Sequence, residues 1–114
     1  VFSIDIRCGL ADSADRLLRR LGYRVRVKCG DGYFGWPEEA PFDGIMITSA
    51  AKAIPEPLVR QLGEKGRLIM PLAEQDGGQV LVLVTTGRGG RRNVKRLLDV
   101  RFVPMIGEAE KRKG

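Results

Sequence analysis

Two acidic residues stand out by their type and setting. Asp5 closes a run of apolar and β-branched residues, Val1-Phe2-Ser3-Ile4-Asp5-Ile6, and Asp31 lies between glycines in Cys29-Gly30-Asp31-Gly32. At the carboxyl end of a strand in an open α/β sheet, a carboxylate can accept hydrogen bonds from both hydroxyls of a ribose, because its two oxygens sit a fixed distance apart. The glycines around Asp31 allow a sharp turn and the close approach of a flat ring, where the carboxylate or a nearby backbone group would meet the edge of a base. Plainer roles stand beside these: a helix cap or surface carboxylate for Asp5, an ordinary turn for Gly30-Asp31-Gly32. The sequence has no histidine. That removes the commonest general base and metal ligand, and with them Ser-His-Asp chemistry and ordinary zinc sites.

The elements that must position these acids follow from periodicity. Val1 to Ile6 reads as a strand. Leu10, Ala11, Ala14, Leu17, Leu18 and Leu21 fall on one face of a 3.6-residue period, with Asp12 and Asp15 early, Arg19 and Arg20 late, and Gly22 as the stop. Arg24 to Lys28 alternates strictly, as a half-exposed strand with a charged face would. After a loop from Gly30 to Asp43, Gly44 to Thr48 reads as a strand buried on both faces. Pro55 and Pro57 start a helix with Leu58, Val59 and Leu62 on its apolar face, and Gly63 and Gly66 end it. Arg67 to Pro71 is a strand. Val80 to Thr85 and Leu97 to Val103 form an antiparallel hairpin around a Gly/Arg-rich connection, Thr86 to Lys95. Alternating β and α elements predict a mostly parallel sheet covered by helices, with antiparallel strands added at the carboxyl end.

At 114 residues, 43% hydrophobic and 30% charged, the chain is one domain or part of one, able to bury a core. Its longest apolar run, Val80 to Val84, is strand-sized, far short of the roughly 20 residues of a membrane helix. No basic-then-apolar leader is present, so a cytoplasmic protein is expected. The two cysteines do not make a disulfide framework, and free thiols are the expectation, with Cys29 a buried small hydrophobe. The net charge of +6 is segregated: residues 1–85 hold 11 basic and 11 acidic residues, residues 86–114 hold 9 and 3. The expected organisation is an α/β portion over 1–85 and a basic carboxy-terminal portion over 86–114 that continues the same sheet.

Longer segments carry a family likeness. Gly30-Asp31-Gly32-Tyr33-Phe34-Gly35-Trp36-Pro37-Glu38-Glu39-Ala40-Pro41-Phe42-Asp43 resembles the protein-L-isoaspartate O-methyltransferase family, as do Ile45-Met46-Ile47-Thr48-Ser49-Ala50-Ala51 and Ile54-Pro55-Glu56-Pro57-Leu58. Gly66-Arg67-Leu68-Ile69-Met70-Pro71 and Val100-Arg101-Phe102-Val103-Pro104 complete the set. The resemblance implies a class I S-adenosylmethionine-dependent methyltransferase fold, Rossmann-like, with S-adenosyl-L-methionine as cofactor. The implied substrate is the free carboxylate of L-isoaspartyl or D-aspartyl residues in damaged proteins or peptides. By position, Asp5 is similar to the family's ribose-binding acid, with Ile6 beside it. Gly30 and Asp31 match its adenine-side contacts, and Gly32 completes the tight loop. Ala50, Ala51, Ile54 and Pro55 fall near methyl donor and substrate. The stretch Arg101, Phe102, Val103, Pro104 and Ile106 resembles the segment that folds back over the site.

The sequence also departs from the family. The glycine-rich cofactor loop and the Ser/Thr-containing catalytic segment are absent, and both are expected upstream of Val1. The family's first strand would lie between the strand ending at Asp5 and that at Ile45 to Thr48, so the chain reads as a carboxy-terminal portion, unstable or inactive alone. Lys52 stands where proline is usual. No metal, membrane or nucleic-acid partner is expected, and the protein should be monomeric. Two alternatives compete: a basic RNA-binding module without catalysis, motivated by Gly87-Arg88-Gly89-Gly90-Arg91-Arg92, and a methyltransferase for another substrate.

Overall fold

The computed structural model describes residues 1–112. Strand β1 (Phe2–Asp5) leads through a two-residue turn into helix α1 (Cys8–Arg20), which returns to β2 (Arg26–Cys29). Strand β2 pairs with β1 in parallel, Phe2 opposite Arg26 and Asp5 opposite Cys29. A long connection with two short 3-10 turns, Gly32–Phe34 and Pro37–Glu39, reaches β3 (Phe42–Met46). The short helix α2 (Glu56–Arg60) then precedes β4 (Leu62–Ala73), β5 (Gln79–Thr86) and β6 (Arg92–Val100). Strands β3 and β4 pair in parallel, whereas β4–β5 and β5–β6 are antiparallel. Two sheets result, β1-β2 and β3-β4-β5-β6. The fold is therefore a partial Rossmann-like α/β arrangement in two sheets, the larger with antiparallel strands at its carboxyl end.

The core lies in the larger sheet. Leu68, Met70, Val82 and Val84 are essentially solvent-free, and Leu58 and Val59 of α2 pack on them with Tyr33 and Ala109. Strict alternation explains this. Val80, Val82 and Val84 share one face of β5, opposite Leu72, Met70 and Leu68 of β4.

Several expectations are corrected. Helix α1 begins at Cys8, so Asp12 and Asp15 lie beyond its first turn, and Asp15 instead pairs with Arg19 at 3.1 Å. Its predicted core face is mostly uncovered: Ala11 is buried, but Leu17 is 51% exposed and Leu10 and Leu21 are exposed as well. The strand predicted at Gly44 to Thr48 starts two residues earlier and is open on one face, with Met46 74% exposed. Gly63 and Gly66 do not end a helix. They lie within β4, where Lys65 adopts φ 63° and a Cβ on Gly66 would press on the Gly63 backbone. The second hairpin strand runs from Arg92 rather than Leu97, because the Gly/Arg stretch makes only a short turn at Arg88–Gly90. The basic stretch over 86–114 includes residues 113 and 114, which lie outside the described residues.

The cysteines require the largest correction. Cys8 and Cys29 are joined in a disulfide, with their Cα atoms 4.9 Å apart, and both are exposed. Parallel pairing places Cys29 opposite Asp5, and α1 starts directly beyond the Asp5 turn. Two residues 21 apart in sequence thereby become neighbours.

Candidate functional site

Strands β1 and β3 are not hydrogen-bonded to each other, and between them lies a cleft of about 940 Å³. Its walls are β1 with Asp5 and Ile6, β3 with Thr48 and Ser49 beyond it, and the segment Val103–Ile106. This is where the family resemblance puts a further strand.

Asp5 sits at the carboxyl end of β1, half-buried, at the edge of this cleft. Its Oδ1 accepts the Arg7 N–H at 2.9 Å, the geometry of an Asx turn, while its Oδ2 takes no hydrogen bond from the described residues. One oxygen is thus held by the Arg7 amide, and the other is left able to accept. Ile6 adjoins it and lines the same cleft.

Asp31 is differently occupied. Its Oδ1 accepts the Tyr33 N–H at 3.0 Å, capping the short 3-10 turn, and its Oδ2 accepts the Glu108 N–H at 2.7 Å. The carboxylate therefore clamps its own turn to the carboxy-terminal segment. Gly107, at φ 99°, passes so close to Asp31 that a Cβ there would collide with Oδ2. Gly30 donates its N–H to the Asp5 carbonyl at 3.0 Å, joining the two acidic turns, and Gly32 lines the cleft. Both oxygens of the Asp31 carboxylate are thus engaged by the polypeptide itself.

The remaining candidates divide. The segment after β6 folds back through backbone pairing: Ala50 N–H donates to the Val103 carbonyl at 2.7 Å, and Met105 N–H to the Ala50 carbonyl at 2.7 Å. Val103, Pro104 and Ile106 reach the cleft through this anchoring, whereas Arg101 and Phe102 do not line it. Phe102 is held by Gln79, which exchanges two hydrogen bonds with its backbone at 2.7 and 3.0 Å. Ala50, Ala51 and Pro55 are buried, and neither they nor Ile54 line the cleft. Lys52 is exposed.

Gln61 is a residue the sequence reading passed over. Buried, it accepts the Trp36 N–H at 2.8 Å and donates to the Phe34 carbonyl at 2.9 Å, tying the long loop to the end of α2. Gly35, at φ 65°, leaves room for it, since a Cβ would strike Gln61 Oε1 and Leu58. A single glutamine after an apolar pair has no periodic signature. Thr48 and Ser49, polar groups lining the cleft, were likewise visible only as part of a longer motif.

Trp36 packs edge-on against Phe2 at 5.2 Å between ring centroids, with Lys28 4.7 Å from its ring, while Phe34 remains exposed. In the Gly/Arg stretch and the strand after it, Arg92 makes a bidentate pair with Glu56 at 2.6 and 2.7 Å, and Arg96 one with Glu74 at 3.0 and 3.1 Å. The Arg92 guanidinium holds the Glu56 carboxyl below the ordinary glutamate range. Among the described residues no group of three metal-ligating side chains comes together, and no helix is long and apolar enough to cross a membrane.

A parallel βαβ unit with an acid at the carboxyl end of its first strand, beside a mixed sheet with an antiparallel carboxyl end, defines a class I methyltransferase domain. The profile of the protein-L-isoaspartate(D-aspartate) O-methyltransferase family matches residues 1–110, and the chain belongs to that family. It is 49% identical over 115 aligned residues to protein-L-isoaspartate O-methyltransferase 2 of Shewanella sediminis, covering all of this chain and 47% of the relative. A solved protein-L-isoaspartate O-methyltransferase superposes with a TM-score of 0.88 at 32% identity, covering 96% of this chain and 35% of the other. A second, from Plasmodium falciparum, is described as a protein-L-isoaspartate O-methyltransferase in complex with S-adenosyl-L-homocysteine. It superposes with a TM-score of 0.78 at 29% identity, covering 93% of this chain and 52% of the other. The chain spans about half the length of the curated relatives it matches.

Proposed function

We propose that the β1-α1-β2 unit and the loop after it bind the adenosine half of S-adenosyl-L-methionine, for methyl transfer to the free carboxylate of L-isoaspartyl or D-aspartyl residues in damaged proteins. The observation that carries this reading is Asp5: a half-buried carboxylate at the strand end, one oxygen fixed by Arg7 and the other open beside the cleft. The unpaired oxygen can accept from a ribose hydroxyl. Ile6 supplies an apolar surface next to it, and the Gly32 backbone lets a flat base approach. Val103, Pro104 and Ile106 line the same cleft.

The sulfonium, when bound, supplies an activated methyl group together with its own leaving group. A substrate carboxylate with an ordinary pKa near 4 is already ionised at neutral pH, so the protein needs to align it and not to deprotonate it. A site without histidine suits that task. The reading includes a cytoplasmic setting. Because disulfides are rare in reducing cytosol, this requires the Cys8–Cys29 bond to be conditional.

Binding is the first readout. Calorimetric titration with S-adenosylhomocysteine should give a saturable heat, and Asp5→Ala should weaken it by about 1.5–3 kcal/mol, the worth of a hydrogen bond to a charged acceptor. Unchanged affinity in Asp5→Ala removes the ribose role. For the substrate, an isoaspartyl peptide should be labelled from S-adenosylmethionine and its normal aspartyl isomer should not. Equal labelling would assign a different carboxylate substrate.

A further inference from the structure

The two acidic turns of the proposed half-site are bridged by one covalent bond. Cys8 is the first residue of α1, three positions after Asp5, and Cys29 is the register partner of Asp5, two positions before Asp31. The disulfide therefore closes the Asp5-Ile6-Arg7 turn on both sides. Little else holds it. Arg7 is the amino-terminal cap of α1 but makes no side-chain cap hydrogen bond, no acidic residue lies in the first helical turn, and Ala11 is the one buried residue of the helix. The noncovalent restraints include the parallel pairing of β1 with β2 up to Asp5, the Asp5–Arg7 hydrogen bond at 2.9 Å, the Gly30–Asp5 bond at 3.0 Å, and the first helical bond from Ala11 to Arg7 at 3.0 Å.

We propose that Cys8–Cys29 is a thiol–disulfide exchange site for dithiol reductants, and that its reduction loosens the Asp5 turn and lowers affinity for adenosyl ligands. Both cysteines are exposed, so an attacking thiolate can reach them. Cys8, at the amino terminus of a 13-residue helix with Arg7 beside it, gives the better-stabilised thiolate and is the leaving sulfur. Attack thus falls on the Cys29 sulfur, forming a mixed disulfide and releasing Cys8. The second thiol of the reductant then displaces Cys29. The reductant becomes a cyclic disulfide, and its two electrons and two protons appear as the Cys8 and Cys29 thiols.

The structural half of this inference is independent of the cofactor, and the affinity half rests on the adenosyl reading above. Hydrogen exchange of the amides of residues 6–11 separates them, measured on ligand-free protein with dithiothreitol and, after its removal, following reoxidation with oxidised glutathione. Reduction should lower their protection on the order of a hundredfold, as expected for opening a ring of this size. Reoxidation should restore it. The Cys8→Ser/Cys29→Ser double variant should match the reduced protein and ignore dithiothreitol. Equal protection in both states overturns the loosening of the turn, and alkylation of two thiols after treatment with oxidised glutathione overturns the exchange site. Titration with S-adenosylhomocysteine in both states follows. Weaker binding on reduction supports the coupling, and equal binding overturns it. A protection change with no binding in either state overturns the adenosyl reading while the exchange site stands.

Discussion

The four-stranded sheet and the β1-α1-β2 unit are built from similar sequence patterns and are held in different ways. In the sheet, β4 and β5 interdigitate apolar faces, and Leu68, Met70, Val82 and Val84 have almost no contact with solvent. In the β1-α1-β2 unit, the amphipathic stripe of α1 is just as regular, yet Ala11 alone is buried and Leu10, Leu17 and Leu21 face outward. Packing holds the first region. The second depends on four parallel register pairs, the ion pairs Asp15–Arg19 and Arg26–Glu39, the packing of Phe2 against Trp36 and Phe42, and one disulfide. Amphipathicity therefore states which face of a helix can be buried; whether it is buried depends on what covers it. The proposed ligand half-site falls in the less packed region, where local stability is expected to be low and ligand or covalent ties to matter most.

Truncations in the two regions should separate them most. Met70→Ala should cost about 2–5 kcal/mol and Leu17→Ala no more than about 0.5 kcal/mol, read from urea unfolding midpoints. Comparable losses would mean that α1 packs its face after all. Next come the glycines. Gly35→Ala should cost about 2–3 kcal/mol, since a positive φ is combined with collision against Gln61 and Leu58. Gly22→Ala, at φ 85° with open space around it, should cost about 1–2 kcal/mol from backbone strain alone. Matching thermal shifts for the two would remove the packing contribution. Gln61→Ala should cost about 1–3 kcal/mol, because the Trp36 N–H and Phe34 carbonyl lose their partner. Retained amide-exchange protection at Trp36 in that variant would show another acceptor.

The smallest effect is electrostatic. The Arg92 hydrogen bond and charge hold Glu56 below its ordinary value of 4.5 in the folded protein. The resulting stabilisation is present above that value and is lost as the pH falls through the lower, folded-state pKa. Both side chains are more than a third exposed, Arg92 at 35% and Glu56 at 48%, so solvent screening reduces the contribution to a few tenths of a kcal/mol, about 0.5 at most. An Arg92→Gln variant should lose that acid-dependent increment and little else, measured as the difference in unfolding midpoint between neutral and acidic pH.

Much of the element order was legible before any coordinates. The apolar run from Val80 falls in β5, the leucine spacing becomes α1, and Asp5 closes the first strand as its position implied. Gly30-Asp31-Gly32 forms the expected turn, with the Asp31 carboxylate turned to the polypeptide itself. Less legible were boundaries set by distant partners. Gly63 and Gly66 are helix terminators by local rules, but pairing with Phe42 and Arg67's neighbours in β3 draws the stretch into a 12-residue strand. Gln61 left no signal, because its role is fixed by two backbone groups 25 and 27 residues away.

The sequence by itself determined the kinds of element, their order, the acid at the first strand end, the glycine-flanked turn and the family likeness. All of these depend on short-range periodicity or on ordered motifs along the chain. Only the tertiary structure decided that Cys8 meets Cys29, that Asp31 clasps the Glu108 amide, and that Gln61 ties the long loop to the end of α2. The physical reason is that pairing register and burial are properties of surfaces brought together. A residue's neighbours along the chain fix its conformation, and its neighbours in space fix what it is free to bind.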